Sequence, residues 1–202
     1  MTREVISASD ALQILKEGNQ RFLQYRLNNT DLPEQIKQTA EGQFPFAAIL
    51  GCVDSRTPAE LIFDLSLGDI INIRVAGNVV NDDVLGSLEY ACAVANVMLI
   101  LVLGHTRCGA VESACDSFKM GKISGVLEKI QPAINAENKI QSERNGKNIP
   151  FTNNVSMLNV KNSMKMITKE SEVLKHMLEK GDIGLVGAVY DVGTGKLTFL
   201  ED

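Results

Sequence analysis

"VMLILVLGHTRCGA", residues 97–110, changes character at its middle. Its first half, "VMLILVLG" (97–104), is apolar at every position, as a strand covered on both faces of a sheet must be. The run is far too short to cross a bilayer. From Gly109 a helical pattern takes over through "AVESACDSFKMG" (110–121). Between strand and helix stand His105 and Cys108, flanked by Gly104 and Gly109. The chain has only two histidines, and one of them lies three residues from a cysteine at a strand end. That is half of a metal site, and it asks for the other half.

The same alternation of apolar strand and helix recurs in both directions. "FPFAAILG" (44–51) is a short apolar run that stops at glycine, and "DIINIRVAG" (69–77) is β-branched and similar. "VLGSLEYACAVAN" (84–96) has helical spacing. Residues 7–27 read as an amphipathic helix with Leu12, Leu15, Phe22 and Leu23 on one face. A polar, weakly periodic stretch over 121–154 contains a loop at Asn145, Gly146 and Pro150. A long helical pattern over 155–179 stops at Gly181. "IGLVGAVYD" (183–191) is a further buried strand, and "VGTGKLTFL" (192–200) turns on two glycines into an edge strand. The expected fold is α/β: a mainly parallel central sheet flanked by helices, closed by an antiparallel C-terminal edge strand. One domain, 1–202, accounts for the whole pattern.

Composition narrows the class. With 45% hydrophobic and 22% charged residues the chain has globular proportions. A net charge of −5 and the lack of a basic tract argue against a nucleic-acid partner. The polar opening "MTREVISASDALQILKEG" has no apolar signal-peptide core, and no run suits a membrane, so a reducing cytoplasm is expected. The four cysteines, at 52, 92, 108 and 115, show no CxxC spacing, which argues against a zinc ribbon or a dithiol redox motif.

Functional groups in open α/β sheets gather beyond the carboxyl ends of the strands, near a switch in strand order. The strand that ends at Gly51 runs into "CVDSRTPAE" (52–60). If it neighbours the strand of 97–104, Cys52 meets His105 and Cys108. Two thiolates and an imidazole form a set that zinc prefers, and three protein ligands leave a fourth position open. Asp54 is then either a fourth ligand that closes the site or a carboxylate held by Arg56 beside the open position.

"CVDSR" (52–56) followed by "GHTRCG" (104–109) resembles the β-class carbonic anhydrases. The likeness runs through "AAILGCVDSRTPAELIFDLSLGDIINIRVAGNVV", "LGSLEYA" and "GLVGAVYDVGTGKLTFL", leaving out only the extreme N-terminus and about 120–154. The resemblance implies zinc (Zn2+) on Cys52, His105 and Cys108, with Asp54 and Arg56 as the catalytic dyad. It implies reversible hydration of carbon dioxide to bicarbonate and a proton, by attack of zinc-bound hydroxide. It also implies a homodimer or homotetramer, with an N-terminal helical arm (1–40) on a neighbouring subunit. Gln43, Ile71, Ala76, Tyr90 and Gly109 match positions that line the family's substrate pocket. A second subgroup closes its site with the aspartate and binds bicarbonate through a Trp-Arg-Tyr set. Arg74 and Tyr190 match two of those positions, but the third is Ile49 and the chain has no tryptophan, which favours the open site.

Blander readings cover the remaining candidates. Cys92 and Cys115 read as buried small hydrophobes, His176 as a surface residue near a helix C-terminus, Arg107 as an exposed loop charge. The methionines at 157, 164, 166 and 177 read as core filling. Two alternative functions use the same ligands: a zinc hydrolase of another small heterocumulene, such as carbon disulfide or carbonyl sulfide, and a non-catalytic structural zinc protein.

Overall fold

The computed structural model describes residues 6–28 and 31–200. Residues 1–5 and 29–30, which belong to the expected N-terminal arm, lie outside the described residues. Five strands form one sheet: β1 (Ala47–Gly51), β2 (Ile70–Arg74), β3 (Leu99–His105), β4 (Gly184–Tyr190) and β5 (Leu197–Phe199), in the order β2-β1-β3-β4-β5. The pairings of β1 with β2, β1 with β3 and β3 with β4 are parallel, and only β5 runs antiparallel to its neighbour. The chain leaves β1 toward one side and returns on the other, so the order switches between β1 and β3.

Alternate residues of the central strands feed two opposite cores, as the period of a strand requires. Ala47, Ile49, Leu99, Leu101 and Leu103 face a cluster with α1 (Ala8–Leu23) and α3 (Ala59–Ile62). Ala48, Leu50, Ile100 and Val102 face a second cluster. That cluster is built with α4 (Asp82–Glu89), α8 (Ile149–Glu170) and α9 (Glu172–Lys180). A third cluster lies beyond the carboxyl ends of β1 and β3. It joins Cys52 and Cys108 to Val111, Leu127, Ile130 and Phe151 from α5 (Gly109–Cys115), α6 (Ile123–Glu128), the segment after it, and α8. The functional strand ends are thus capped by a core of their own.

Two helices depart from their sequence reading. The 84–96 helix starts at Asp82, capped by the Asn81 side chain, and widens into a single π turn over Tyr90–Val94. The 121–154 stretch holds α6, α7 (Gln131–Ala136) and the start of α8. Pro132 and Pro150 stand in the first turns of α7 and α8, where a missing N–H costs nothing. Proline read as loop punctuation is here the mark of a helix start. The long helical pattern is also cut in two at Ser171, whose hydroxyl accepts the Leu174 N–H to begin α9 and donates to Glu89.

α1 begins after a Ser7–Asp10 capping box and buries Ala11, Leu15, Gly18 and Asn19 against its own sheet. A Cβ at Gly18 would stand 1.8 Å from the Phe63 carbonyl oxygen, so only glycine allows this approach. Gly18→Ala is expected to cost about 1–3 kcal/mol or more of stability. Urea unfolding followed by circular dichroism measures it, and an unchanged midpoint would show that α1 is not docked this closely.

Candidate metal centre

Parallel pairing of β1 with β3 sets Gly51 opposite Leu103. Both strands therefore point to the same edge of the sheet, and Cys52, one residue past Gly51, emerges there beside His105, two residues past Leu103 at the end of β3. The chain then reverses at Arg107, whose φ of 52° lies in the left-handed region, and delivers Cys108 to the first turn of α5. The Arg107 N–H donates to Asn153 Oδ1 on α8 at 3.1 Å, which holds that reversal. The ligand atoms of Cys52, His105 and Cys108 all lie within 4.8 Å of one another, and the two sulfurs are 3.9 Å apart. All three residues are at least 95% buried, with relative exposures of 4%, 1% and 2%.

The histidine is poised as a ligand. Its Nδ1 lies 2.9 Å from the Thr106 carbonyl oxygen. A carbonyl only accepts, so Nδ1 carries the proton and Nε2 presents its lone pair. That Nε2 is buried with no hydrogen-bond partner. A buried, unpartnered imidazole nitrogen beside two sulfurs is costly unless a cation takes it up. The donor set fits zinc.

Charge at the two cysteines points the same way. The hydrogen bond between the two sulfurs, supported by the Gly77 N–H, brings the Cys52 thiol down to about 4 against the cost of burial. The same bond, together with burial, pushes Cys108 up. Cys92 and Cys115 are instead pushed up to about 12, chiefly by burial, and behave as inert thiols.

Asp54 and Arg56 form a two-pronged pair, Nε to Oδ1 at 2.9 Å and Nη2 to Oδ2 at 2.8 Å. The Arg56 N–H adds a third bond to Oδ1 at 3.0 Å. The arginine's hydrogen bonds hold the Asp54 carboxyl at about 2. Asp54 Oδ2 lies 3.9 Å from His105 Nε2, so the dyad stands at the edge of the ligand cluster. Arg56 Nη2 also donates to the Arg107 carbonyl at 3.1 Å, tying the β1 loop to the β3 loop. From the end of β2, Arg74 donates to the carbonyls of Cys52 and Asp54. That side chain is committed to the loop backbone, and Ile49 is fully buried in the sheet.

A cavity of about 300 Å³ opens from the cluster to solvent between Asp54, Ala76, Gly109, Ser113, Phe118 and Met120. Ala76 and Gly109, two of the residues expected in the pocket, line this cavity. Gln43, Ile71 and Tyr90 are not part of this cavity. Gln43 stands before β1, beside Gly68, at the opposite end of the sheet. Ile71 faces the α4 core and Tyr90 is half-exposed at the end of α4. Phe118 and Met120, exposed by 47% and 64%, form the apolar lip of the cavity, which sequence spacing did not single out. Their one signal was their apolar nature in an otherwise polar turn.

Comparison with known proteins agrees with this geometry. A family profile described as "Carbonic anhydrase" matches residues 47–197. The chain is 35% identical over 192 residues to "Carbonic anhydrase 2" of Mycobacterium tuberculosis, covering 92% of this chain and 89% of that one. It is similar to the crystal structure of the β-carbonic anhydrase CafA of Aspergillus fumigatus, with a TM-score of 0.72 and 28% identity, over 96% of this chain and 90% of that one. It shares the fold of one of two tetrameric β-carbonic anhydrases from Sordaria macrospora, with a TM-score of 0.72 and 22% identity over 96% of this chain and 98% of that one.

The Asp54–Arg56 pair yields a test by pH. A carboxyl depressed in the folded state adds stability above its unfolded value near 3.8, and loses it as pH falls toward 2. Arg56→Leu is expected to move the Asp54 titration upward toward 3.8, read by carboxyl NMR. A titration that stays near 2 in the variant would show that Arg56 is not its cause.

Proposed function

Because the chain belongs to the β-class carbonic anhydrase family, we propose that it catalyses the reversible hydration of carbon dioxide to bicarbonate and a proton, with zinc held by Cys52, His105 and Cys108. The observation that carries this reading is the unpartnered Nε2 of His105, buried against two sulfurs at the switch point of the sheet. Zinc bound there would supply the Lewis acidity that lowers the pKa of water to about 7.

The chain's own residues supply the rest. Both oxygens of Asp54 are engaged by Arg56, which keeps the carboxylate ionised and turned away from ligation. This supports a carboxylate that stays off the metal, where Asp54 would accept a hydrogen bond from the reacting water and fix its orientation. Val53, Ala76, Phe118 and Met120 give the cavity an apolar wall, which suits carbon dioxide, a substrate without charge or dipole. The opening to solvent gives bicarbonate and the proton their exit.

The working unit in this reading is a homodimer or homotetramer, with the 1–40 segment contributing to the contact. Exposed apolar side chains support it: Tyr25, Leu32, Ile36 and Phe44 in or after the N-terminal segment, and Tyr90 and Val94 at the π turn. A second copy would bring such a surface, with Gln43 and Tyr90, toward a neighbouring cavity, while Ile71 stays packed on its own α4 core. A reducing cytoplasm fits two sulfurs 3.9 Å apart that must avoid oxidation to a disulfide. Among the described residues no helix is long and apolar enough to cross a membrane.

Stopped-flow measurement of carbon dioxide hydration on the zinc-quantified chain, at neutral and mildly alkaline pH, tests the function. Activity at both is expected. Activity confined to alkaline pH would place Asp54 on the metal, and none at either with zinc fully loaded would overturn the reading. Cys52→Ser and His105→Ala should each lose metal or activity. Asp54→Asn should keep zinc yet lower turnover by about 10–100-fold, and an unimpaired variant would remove Asp54 from the mechanism.

A further inference from the structure

α8 carries a stripe of buried polar residues where a core helix would be expected to carry apolar ones. Thr152, Ser156, Asn159 and Ser163 follow at i, i+4, i+7 and i+11, one face of a helix, with exposures of 1%, 3%, 1% and 2%. Burying such groups costs stability unless their bonds do something in return. Two of them grip the turn at Ala76–Asn78, just past β2. Asn159 Nδ2 donates to the Gly77 carbonyl at 2.7 Å, and Ser163 Oγ donates to the Asn78 carbonyl at 2.9 Å.

Gly77 is where that grip meets the metal ligands. Its N–H donates to Cys52 Sγ at 3.3 Å. Its φ is 68°, and a Cβ there would stand 2.8 Å from Ile130 Cδ1, so the position admits only glycine. Glycine has the softest torsions in the chain, and left alone it would hold its N–H loosely. Asn159 anchors the peptide plane on the carboxyl side of Gly77, and the Asn78 N–H bonded to the Val75 carbonyl at 2.9 Å closes the turn around it, so the neighbouring plane that carries the Gly77 N–H has little room to swing. An N–H bond to a metal-held thiolate draws charge from the sulfur and keeps it oriented.

We propose that Asn159 is a positioning residue for the metal centre, acting through the Gly77 peptide on Cys52. This rests on the metal reading above, but it concerns residues that touch neither the metal nor carbon dioxide. It makes α8 a second support of the site, as Asn153 of the same helix already holds the Arg107 turn ahead of Cys108.

The test uses cadmium, whose bonds to thiolate absorb in the ultraviolet and so report on the sulfur directly. Cadmium affinity is measured by competition with a chelator, and the sulfur-to-cadmium absorption is recorded, for the full chain and its variants. Asn159→Ala should weaken cadmium by about 10–100-fold and shift the absorption band. Ser163→Ala removes a bond one peptide further on; it should lower thermal stability and leave affinity and band unchanged. Should Asn159→Ala fail to fold, Asn159→Ser keeps a hydroxyl in the stripe but falls short of the Gly77 carbonyl, and the same loss and shift are expected of it. A folded Asn159 variant with the parent's affinity and band would overturn the proposal, as would equal losses in the Ser163 variant. A parent chain that takes up neither cadmium nor zinc would overturn the metal reading itself, which is a different result.

Discussion

The parallel pairing of β1 with β3 is the constraint on which the site depends. Cys52 and His105 are 53 positions apart in sequence, and no local bond brings them together. They meet because two strands of the same direction, set in register at Gly51 and Leu103, carry them to the same edge of the sheet. A one-residue slip would turn Ile49 and Leu101 out of one core and Ala48 and Val102 out of the other. With both faces covered, the cores lock the register, and the register places the ligands.

Strand ends alone would leave three loops free to move. They are instead cross-tied at the backbone. Arg56 joins the β1 loop to the Arg107 carbonyl, Arg74 reaches from β2 to the carbonyls of Cys52 and Asp54, and α8 holds Arg107 and Gly77 through Asn153 and Asn159. Each bond goes to a main-chain group within two residues of a ligand, or to the Gly77 peptide beside one. The site is rigid because its loops are pinned to the sheet and to a long helix, and a rigid donor set pays less ordering entropy when it takes a cation.

How much of this was readable in the sequence depended on the period of each signal. The strands of 44–51, 97–104 and 183–191 stood out because a sheet covered on both faces needs unbroken apolar runs. The two ligand motifs stood out because each follows such a run. The short helices over 123–136 did not, since six residues make fewer than two turns and Pro132 looks like a loop until its place in the first turn is known. The lip at Phe118 and Met120 was hidden because only the fold brings the α5–α6 turn over the strand ends. The α8 stripe was hidden by its neighbours: its methionines suggested an ordinary core helix. Asn159 and Ser163 became meaningful only when their partners proved to be the turn beside Cys52. Arg107, read as a loose surface charge, matters through its backbone.

Charge balance explains why so buried a site can open into an apolar cavity. Asp54 and Arg56 cancel one another through paired bonds. In the proposed zinc-bound form, a divalent cation with both thiols ionised would be neutral as well, and His105 would add a neutral donor. Thus the filled site presents little net charge to the wall of Ala76, Phe118 and Met120, and desolvation there is tolerable. Bicarbonate, by contrast, carries a charge that this wall does not solvate. In the proposed reaction the same apolar surface would admit a neutral gas and favour departure of the charged product toward water.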